Sequence, residues 1–590
     1  MSETKAGGVF EGIVKEPLPE GAEVLEKYWL EKPHSRVVIA IPPGETGPRY
    51  YLIEPELSPE AKKALAKLSE AIESEVNPSD FEKAEDLRRA VEEYIDKLVR
   101  KYSGLLRKLS DEDVEAIKYY LRRNFIGLGH VEPLLQDPNL EDISCNGLGI
   151  PIHVWHRRYE SMPTNIIFTS KTELDNYVVG LAHRAGKHVS AAFPIVDAML
   201  AGQHRLAATY REEVSPEGSS FTIRKFRTEP FSIIDQIRMG TISLEMAAYL
   251  WLLIDNKFNL MVVGGTGAGK TSLLNSLCNF IRPAYKVVTV EETPELNLPL
   301  QNWVKLVTRE AYGAIGTIST RITLYDLVKT SLRYRPDYII VGEIRGEEAY
   351  VLFQALATGH GGLSTMHAES LDSAVKRLLS PPMNISPAYI PLMNAVLLIE
   401  RMLLPTRGGY MAPARRVRTL WEVIEHENYY SIAEYDTRTN SFIADFLASY
   451  LLRKIGIKSG KTLREMVSEM EERRLVLEWM LKKNITRLWN VSKIITEYYI
   501  SPSRVVERAV EEIRELKEVE TMRAEVITDG TSIITSILER SAGKTTLRQI
   551  LTESRMDESL FWDSLSKLIN EGVVVLKDDG TVELVAKRVE

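Results

Sequence analysis

The chain has 590 residues, of which 44% are hydrophobic and 26% are charged, and its net charge is −8. This length allows about three to five domains, and the composition excludes a fibrous or wholly disordered protein. The acidic balance argues against a protein that coats nucleic acid, and two cysteines are too few for a disulfide framework or a Cys-based zinc finger, which indicates a reducing cytosol.

Two regions are predicted before residue 239. Residues 1–125 combine short β-like runs with a charged helical pattern, which predicts an N-terminal α/β and helical region. In 126–238 short apolar runs alternate with Gly, Pro and Asn, which predicts an α+β domain with antiparallel strands. The first residues lack the apolar core of a signal peptide, and no run approaches the ~20 apolar residues of a membrane span. We therefore expect no transmembrane segment.

The second half of the chain has a different texture. In 243–426 continuous apolar runs alternate with helical patterns, which predicts a mostly parallel sheet covered on both faces. Residues 441–523 predict helices, with Leu463, Met466, Met470, Leu477 and Met480 on one core-facing side. In 524–590 helices precede two strands around Asp579-Gly580, which predicts a winged-helix-like module. We expect this module to contact protein rather than DNA, because its second helix has only Lys567 as a basic residue.

The tetrapeptide AGKT occurs twice. The first copy lies in GGTGAGKT, which matches G-x-x-x-x-G-K-S/T in full and stands between a strand-like NLMVV and a helical SLLNSL. Such a loop turns backbone N–H groups onto phosphate oxygens at a helix N-terminus. Lys270 would bridge the terminal phosphates, and the Thr271 hydroxyl would ligate Mg²⁺. The predicted nucleotide-binding residues of the loop are Gly264, Gly265, Thr266, Gly267, Ala268, Gly269, Lys270, Thr271 and Ser272.

The second copy, SAGKTT, has Leu538 where the motif needs its first glycine. A helix-like segment precedes it rather than a buried strand. Thr545 or Thr546 is typical of an N-cap for the helix that follows. We therefore expect a loop that connects two helices, and one phosphate cradle in the chain.

Acidic residues end two further apolar strands. KVVTVEE ends in Glu291 and Glu292, and DYIIVGE ends in Glu343. Carboxylates at the carboxyl ends of neighbouring strands would face the γ-phosphate and its metal. One of them can orient the attacking water and another can hold Mg²⁺ through water. Glu343 is the preferred catalytic and metal-linked acid, and the relative weight of Glu291 and Glu292 stays open.

Two histidines follow in ATGHGGLSTMHAES. His360 and His367 could be metal ligands, but no cysteine or acid cluster completes such a site. We expect a role in sensing the γ-phosphate by hydrogen bonds, against the alternative of a core histidine.

These four stretches, in this order, resemble the phosphate loop, acidic box, second acidic strand and histidine box of the type II/type IV secretion ATPase superfamily, in the style of its archaeal members. The resemblance extends from about Tyr28 to Pro502. It implies an α/β fold with a RecA-like P-loop motor domain that follows the α+β N-terminal domain, with ATP and Mg²⁺ bound between them. It also implies a homo-hexamer at the cytoplasmic face of the membrane that acts on a polytopic membrane platform protein.

The resemblance assigns arginines as well. Arg205, Arg224 and Arg227 fall where the family presents arginines to the phosphates, a role suited to the planar guanidinium fork. The alternative for each is a plain surface charge. Arginines also flank the second acidic strand, and one of them is expected to act across a subunit boundary: Arg333, Arg335 and Arg345. Two departures are that Glu292 replaces the usual Asp and that the bacterial tetracysteine element is missing.

Several alternatives stay open at this level. A nucleic-acid motor with a DNA-reading winged helix is the rival function, and the acidic charge counts against it. Pilus, archaellum and secretion machine are not distinguished, nor is the direction of the stroke. Pro381–Met393 is either a partner-contact loop or a connection packed on the core. The hinge of the motor is expected at 238–243.

Overall fold

The computed structural model describes residues 13–75, 87–226, 229–309, 321–405, 411–541, 543–554, 556, 558–577 and 581–585. The chain divides into two compact units. The first comprises Met1–Thr228 and Leu404–Pro413, and the second comprises Glu229–Leu403 and Ala414–Glu590. Arg227 and the residues of the predicted turn at Asp579-Gly580 lie outside the described residues.

The first unit contains ten strands among its described residues. They are β1 Ile13–Lys15, β2 Glu23–Glu31, β3 Ser35–Ile41, β4 Arg49–Ile53, β5 Leu140–Cys145, β6 Pro151–His156, β7 Glu160–Phe168, β8 Ile195–Met199, β9 Arg205–Thr209 and β10 Ser220–Arg224. They form one sheet in the order β2-β3-β4-β7-β6-β5-β10-β9-β8, and β1 also pairs with β7. Neighbours are antiparallel apart from β4 and β7, where Tyr50 is opposite Thr164 in a parallel pair.

The helices of the first unit lie between and after these strands. They are α1 Pro59–Glu75, α2 Leu87–Lys101, α3 Ser103–Leu106, α4 Asp111–Phe125, α5 Glu132–Gln136 and α6 Lys171–Arg184. Helices α1, α2 and α4 enclose a small core of their own that includes Leu65, Leu68, Ile95 and Ile117. The boundary predicted at residue 125 does not separate two sheets, because β2–β4 and β5–β10 share one hydrogen-bonded sheet.

The second unit is built on a nine-stranded sheet, counted over its described residues. Its strands are β11 Leu260–Gly264, β12 Val287–Glu291, β13 Trp303–Val307, β14 Tyr338–Val341, β15 Gly361–His367, β16 Ala395–Pro405, β17 Met411–Glu425, β18 Asn428–Asp436 and β19 Ser441–Ala444. Their order is β13-β12-β14-β15-β11-β16-β17-β18-β19. The pairings from β13 to β16 are parallel, and β17, β18 and β19 pair antiparallel.

Helices cover both faces of this sheet. They are α7 Ile233–Arg238, α8 Leu244–Asp255, α9 Lys270–Leu277, α10 Leu324–Ser331, α11 Glu348–Ala357, α12 Leu371–Leu379, α13 Tyr450–Ser459, α14 Leu463–Lys482, α15 Leu488–Ile500 and α16 Pro502–Arg540. Successive residues of a strand point to opposite faces. Val262 of β11 accordingly joins a core with α8 and α14, and Val263 joins a second core with α11 and α12. A strand buried on both faces must be continuously apolar, which explains the predicted runs.

Two details differ from the sequence-based expectations, and a third decides between two alternatives that the sequence left open. The predicted hinge at 238–243 lies within the second unit, where the Val417 N–H donates to Thr241 O at 2.8 Å. The region predicted as helical from residue 441 begins with strand β19. Pro381–Met393 packs on the core, since Met383, Ile385, Ile390 and Met393 are buried.

The carboxyl-terminal part adds a small three-stranded sheet. Its elements are β20 Lys544–Thr546, α17 Leu547–Ser554, α18 Glu558–Asn570, β21 Val574–Leu576 and β22 Thr581–Leu584, with the strand order β20-β22-β21. The described residues of the second AGKT lie between helices α16 and α17, as expected, and the connection includes the short strand β20, which the sequence did not predict. The predicted boundary at residue 524 falls inside α16, which is one continuous helix of 39 residues.

Candidate active site

The first AGKT lies at the carboxyl edge of the parallel sheet, between β11 and α9. Gly267 and Gly269 have φ of 69° and 96°, a region that side chains with a Cβ avoid. A Cβ on Gly264 would lie 2.4 Å from the Ile399 carbonyl oxygen, so the loop also needs glycine for lack of space. Lys270 Nζ donates to the Gly265 carbonyl at 2.9 Å, which folds the lysine back over its own loop. The result is a concave backbone turn that leads into a helix N-terminus.

His367 touches this loop. Its register partner in the adjacent strand is Gly264, so it ends β15 directly beside the start of the loop. The Nε2 atom of His367 lies 2.9 Å from Thr266 Oγ1, and the Arg377 guanidinium donates to the His367 carbonyl. The His367 ring is therefore bonded to the glycine loop, and its backbone carbonyl is bonded to Arg377.

Glu343 follows β14, which is separated from β11 by β15. At about 4.8 Å between neighbouring strands, this places the ends of β14 and β11 roughly 10 Å apart. Arg345 Nη2 donates to Glu343 Oε2 at 2.6 Å, and Arg345 Nη1 lies 3.4 Å from Glu292 Oε2. Glu348 accepts from the backbone N–H groups of Arg345 and Gly346, which fixes this turn. One guanidinium thus brings the two predicted carboxylates of different strands together.

Glu291 differs from its neighbour Glu292. Its side chain is buried, and its Oε1 accepts from the backbone N–H groups of Glu295 and Leu296 at 2.9 Å each. Burial raises the pKa of Glu291 to about 7, and the two backbone hydrogen bonds oppose that rise. Glu292 is exposed. The contacts therefore place Glu292 beside Arg345 and Glu343, and give Glu291 the task of holding the turn after β12.

Three predicted residues lie at the other edge of the same sheet. His360 precedes β15, and its Nδ1 contacts Ala355 O and Thr358 Oγ1 at 3.0 Å each. Six residues of β15 separate it from His367, which is a distance of roughly 20 Å along the strand. Arg333 and Arg335 precede β14, whereas Arg345 follows it. The structure therefore does not bring His360, Arg333 or Arg335 to the loop of the same chain, and the phosphate-sensing role expected of His360 is not supported.

Two predicted arginines lie in the first unit. Arg205 of β9 and Arg224 of β10 are directly opposite one another in the ladder. Like charges in such a pair are unfavourable unless something offsets them. Arg205 forms a two-point ion pair with Asp197, with Nη2 and Oδ2 2.8 Å apart. Both arginines line a cavity of about 380 Å³ together with Asp142. Burial raises the pKa of Asp142 above its ordinary value, and the charge of Arg224 opposes that rise.

The loop and its neighbours fit a Mg²⁺–nucleoside triphosphate. Mg²⁺ at phosphate sites usually takes only one or two protein ligands and completes its shell with phosphates and water. Thr271, at the start of α9, and Glu343 would hold the Mg²⁺ ion. The ion would neutralise charge on the phosphates. Over the residues that the structure describes, no group of three or more His, Cys, Asp or Glu could hold a metal ion by itself.

Known proteins resemble this chain in sequence. The family described as "Type II/IV secretion system protein" matches residues 154–406. The protein MJ0900 of Methanocaldococcus jannaschii is 34% identical over 77% of this chain and 86% of its own length. The chain belongs to the type II/IV secretion system protein family.

Two further proteins have a more limited similarity to the chain. A probable conjugal transfer protein TrbB of Sinorhizobium fredii is 30% identical over 50% of this chain and 86% of its own length. Among solved structures, the ATPase DotB of Legionella pneumophila aligns over 60% of this chain and 91% of its own, with 17% identity and a TM-score of 0.36. None of the helices within the described ranges of this secretion-family protein combines the length and apolar character of a membrane span.

Two residues of this secretion-family site escaped the sequence analysis. Arg415 on β17 donates from Nε to the Gly267 carbonyl at 3.2 Å, and its Cδ lies 3.0 Å from where a Cβ on Gly269 would stand. It is about 150 residues from the loop along the chain, so no local motif could have revealed it. Glu295 is exposed on the turn that Glu291 holds. Its spacing of four residues from Glu291 is the local signal that the sequence carries for it.

Proposed function

We propose that this chain is an ATP-hydrolysing motor that works as a homo-hexameric ring at the cytoplasmic face of the membrane. It would drive a platform protein with several membrane spans in a secretion, pilus or archaellum machine. The observation that carries the proposal is the constellation at one sheet edge: the glycine loop, His367 bonded to Thr266, and Glu343 two strands away. Family membership supports the class of machine.

Binding is the task of the loop in this proposal. Backbone N–H groups between Gly265 and Lys270 hold phosphate oxygens, and the Lys270 ammonium moves from the Gly265 carbonyl onto the terminal phosphates. Thr266 stays hydrogen-bonded to His367, so a movement of the loop is coupled to the end of strand β15. The phosphate-binding role of Arg205, Arg224 and Arg227 rests on the family resemblance and stays part of the proposal.

Hydrolysis is assigned to the carboxylates. Glu343 is a quarter exposed and is held by Arg345, so it can orient the attacking water without rotating freely. Glu292 and the exposed Glu295 lie on the turn next to it as further candidates for accepting the proton. Glu291 acts through the backbone of that turn and is a positioning residue. Of the two adjacent acids, Glu292 is therefore the candidate for direct contact with the reacting groups.

ATP turnover and oligomeric state test this proposal. Purified wild-type protein should hydrolyse ATP with Mg²⁺, and Lys270→Ala should lower the rate by at least about 100-fold, since a charge-stabilising donor is lost. Arg438→Ala, at a side chain that is 88% exposed, serves as the matched control and should retain the wild-type rate. Light scattering should give six copies with ATP present. Equal rates for wild type and Lys270→Ala would refute the proposal.

The rival function is a motor that moves nucleic acid. One relative is named as a probable conjugal transfer protein. For this reason the ATP turnover assay should also be run with DNA. Single-stranded DNA should leave turnover within about twofold at physiological salt, because the chain carries a net charge of −8. Strong stimulation by DNA, with none by lipid or a platform protein, would favour the rival.

A further inference from the structure

Helix α13 presents an unusual surface. Ile457 is 85% exposed, the largest value among the exposed large hydrophobic residues of the described chain, and Tyr450 is 40% exposed. The two lie seven residues apart, which is about two helical turns, so they share one line along the helix. Leu447, just before the helix, is a further exposed apolar residue. This line of apolar side chains faces away from the core of the unit.

Cations flank that line on both sides. At 3.6 residues per turn Arg453 lies on one side of the line, and Lys454 and Lys458 lie on the other. All three are exposed, and the helix YLLRKIGIKS contains no acidic residue. Arg453 Nη2 donates to the Leu447 carbonyl at 3.3 Å, and Lys454 Nζ lies 5.7 Å from the centre of the Phe258 ring. Both long side chains therefore lie along the protein surface beside the apolar line.

The opposite side of the helix anchors it. Leu451, Leu452, Ile455 and Gly456 are buried against the main core of the second unit. Ser449 caps the start of α13, and the left-handed Gly460 ends it. The exposed side is thus held by a fixed scaffold.

We propose that the exposed side of α13 binds an anionic lipid surface. An apolar line bordered by Lys and Arg is the pattern of helices that lie in the membrane interface, with the apolar residues at the headgroup boundary and the cations on lipid phosphates. A protein partner is the poorer fit, because the centres of protein interfaces are depleted in lysine. The chain as a whole carries −8, so attraction to a negative surface must come from a local patch such as this one.

Vesicle flotation tests the proposal with the full-length protein. The probes are vesicles of phosphatidylcholine with about one-third phosphatidylglycerol, and vesicles of phosphatidylcholine alone. Wild type should float with the anionic vesicles at least about tenfold more than with the neutral ones, and less as salt rises. Ile457→Asp, and separately the triple variant Arg453→Glu, Lys454→Glu, Lys458→Glu, should each lose at least about tenfold.

Matched controls separate the patch from net charge and from folding. Lys62→Glu, Lys63→Glu, Lys67→Glu changes net charge equally at exposed positions of α1, and Ile500→Asp alters another highly exposed isoleucine. Both controls should float like wild type, and all variants should keep the wild-type unfolding temperature and basal ATP turnover. Wild type that binds neither vesicle, that binds both equally, or that binds unchanged in the α13 variants would overturn the proposal. Turnover is measured apart from flotation, so a failure here does not bear on the motor.

Discussion

Glu291 and Glu292 are adjacent in sequence and have different environments. Glu291 is the last residue of β12 and is buried. Its Oε1 accepts from two backbone N–H groups, and its Oε2 has no hydrogen-bond partner among the residues that the structure describes. Glu292, one residue further, is exposed beside Arg345. The sequence shows two acidic residues after an apolar run. It does not show that the turn after β12 buries Glu291 and leaves Glu292 exposed.

The raised pKa of Glu291 predicts a pH-dependent stability. The folded state binds the Glu291 proton more tightly than the unfolded state, because the pKa moves from an ordinary 4.5 to about 7. This contribution to stability is present below about pH 4.5 and is lost as the pH rises through about 7, amounting to about 3 kcal/mol. The amide side chain of the Glu291→Gln variant is neutral at every pH. The free energy of unfolding of this variant, relative to that of wild type, should therefore increase from pH 5 to pH 8. Urea unfolding followed by tryptophan fluorescence measures the difference.

Glu245→Gln is the control for this pH effect. Glu245 is exposed at the start of α8, and its replacement should shift stability by similar amounts at both pH values. If Glu291→Gln also differs from wild type by the same amount at pH 5 and pH 8, the buried carboxyl does not titrate as we infer.

Arg415 predicts a contribution to nucleotide affinity from outside the motif. Arg415→Ala removes the donor to the Gly267 carbonyl and the packing against Gly269, so the loop should lose part of its fixed shape. We expect ATP affinity to fall about three- to tenfold, the range of one lost hydrogen bond. Binding of a fluorescent ATP analogue checks this, with Arg438→Ala as the exposed control. Unchanged affinity would show that the loop keeps its shape without Arg415.

At the scale of elements, β15 separates two histidines that the sequence grouped together. His367→Ala removes the bond to Thr266 and should lower ATP turnover about 10- to 100-fold. His360→Ala, at the start of the same strand, should stay within about twofold. Steady-state turnover of the two variants is the measurement, and each is the control of the other. Equal losses would contradict the separation of the two histidines along β15.

The elements that the sequence predicts well are those with a strong local cause. Strands β11, β12, β14 and β16 are continuous apolar runs because both of their faces are covered. The short strand β19 was missed because it lies at the edge of the sheet, where Ile443 is 64% exposed and no alternation of burial marks it. The boundary predicted at residue 524 lies inside helix α16. The first part of this helix packs on the main core of the second unit and its last part packs on the small carboxyl-terminal core, and the sequence has no helix cap or proline between the two parts.

At the scale of the whole molecule, local motifs predicted the family and the phosphate loop, and did not predict how distant segments meet. The single sheet that unites β2–β4 with β5–β10 depends on one parallel contact between β4 and β7, more than 100 residues apart. Arg415 reaches the loop across a similar separation. Such pairings are tertiary, and a periodicity that extends over ten or twenty residues carries no information about them.

Single-turnover hydrolysis by Glu343→Gln tests the central claim most directly. The substitution keeps the shape of the side chain and removes its charge, so Mg²⁺–ATP should bind within about threefold of wild type while the hydrolysis rate falls by at least about 100-fold. Glu347→Gln, an exposed acid four residues further, should hydrolyse ATP like wild type. If Glu343→Gln cleaves bound ATP at the wild-type rate, the carboxylate after β14 is not the hydrolytic group and the account of this site is wrong.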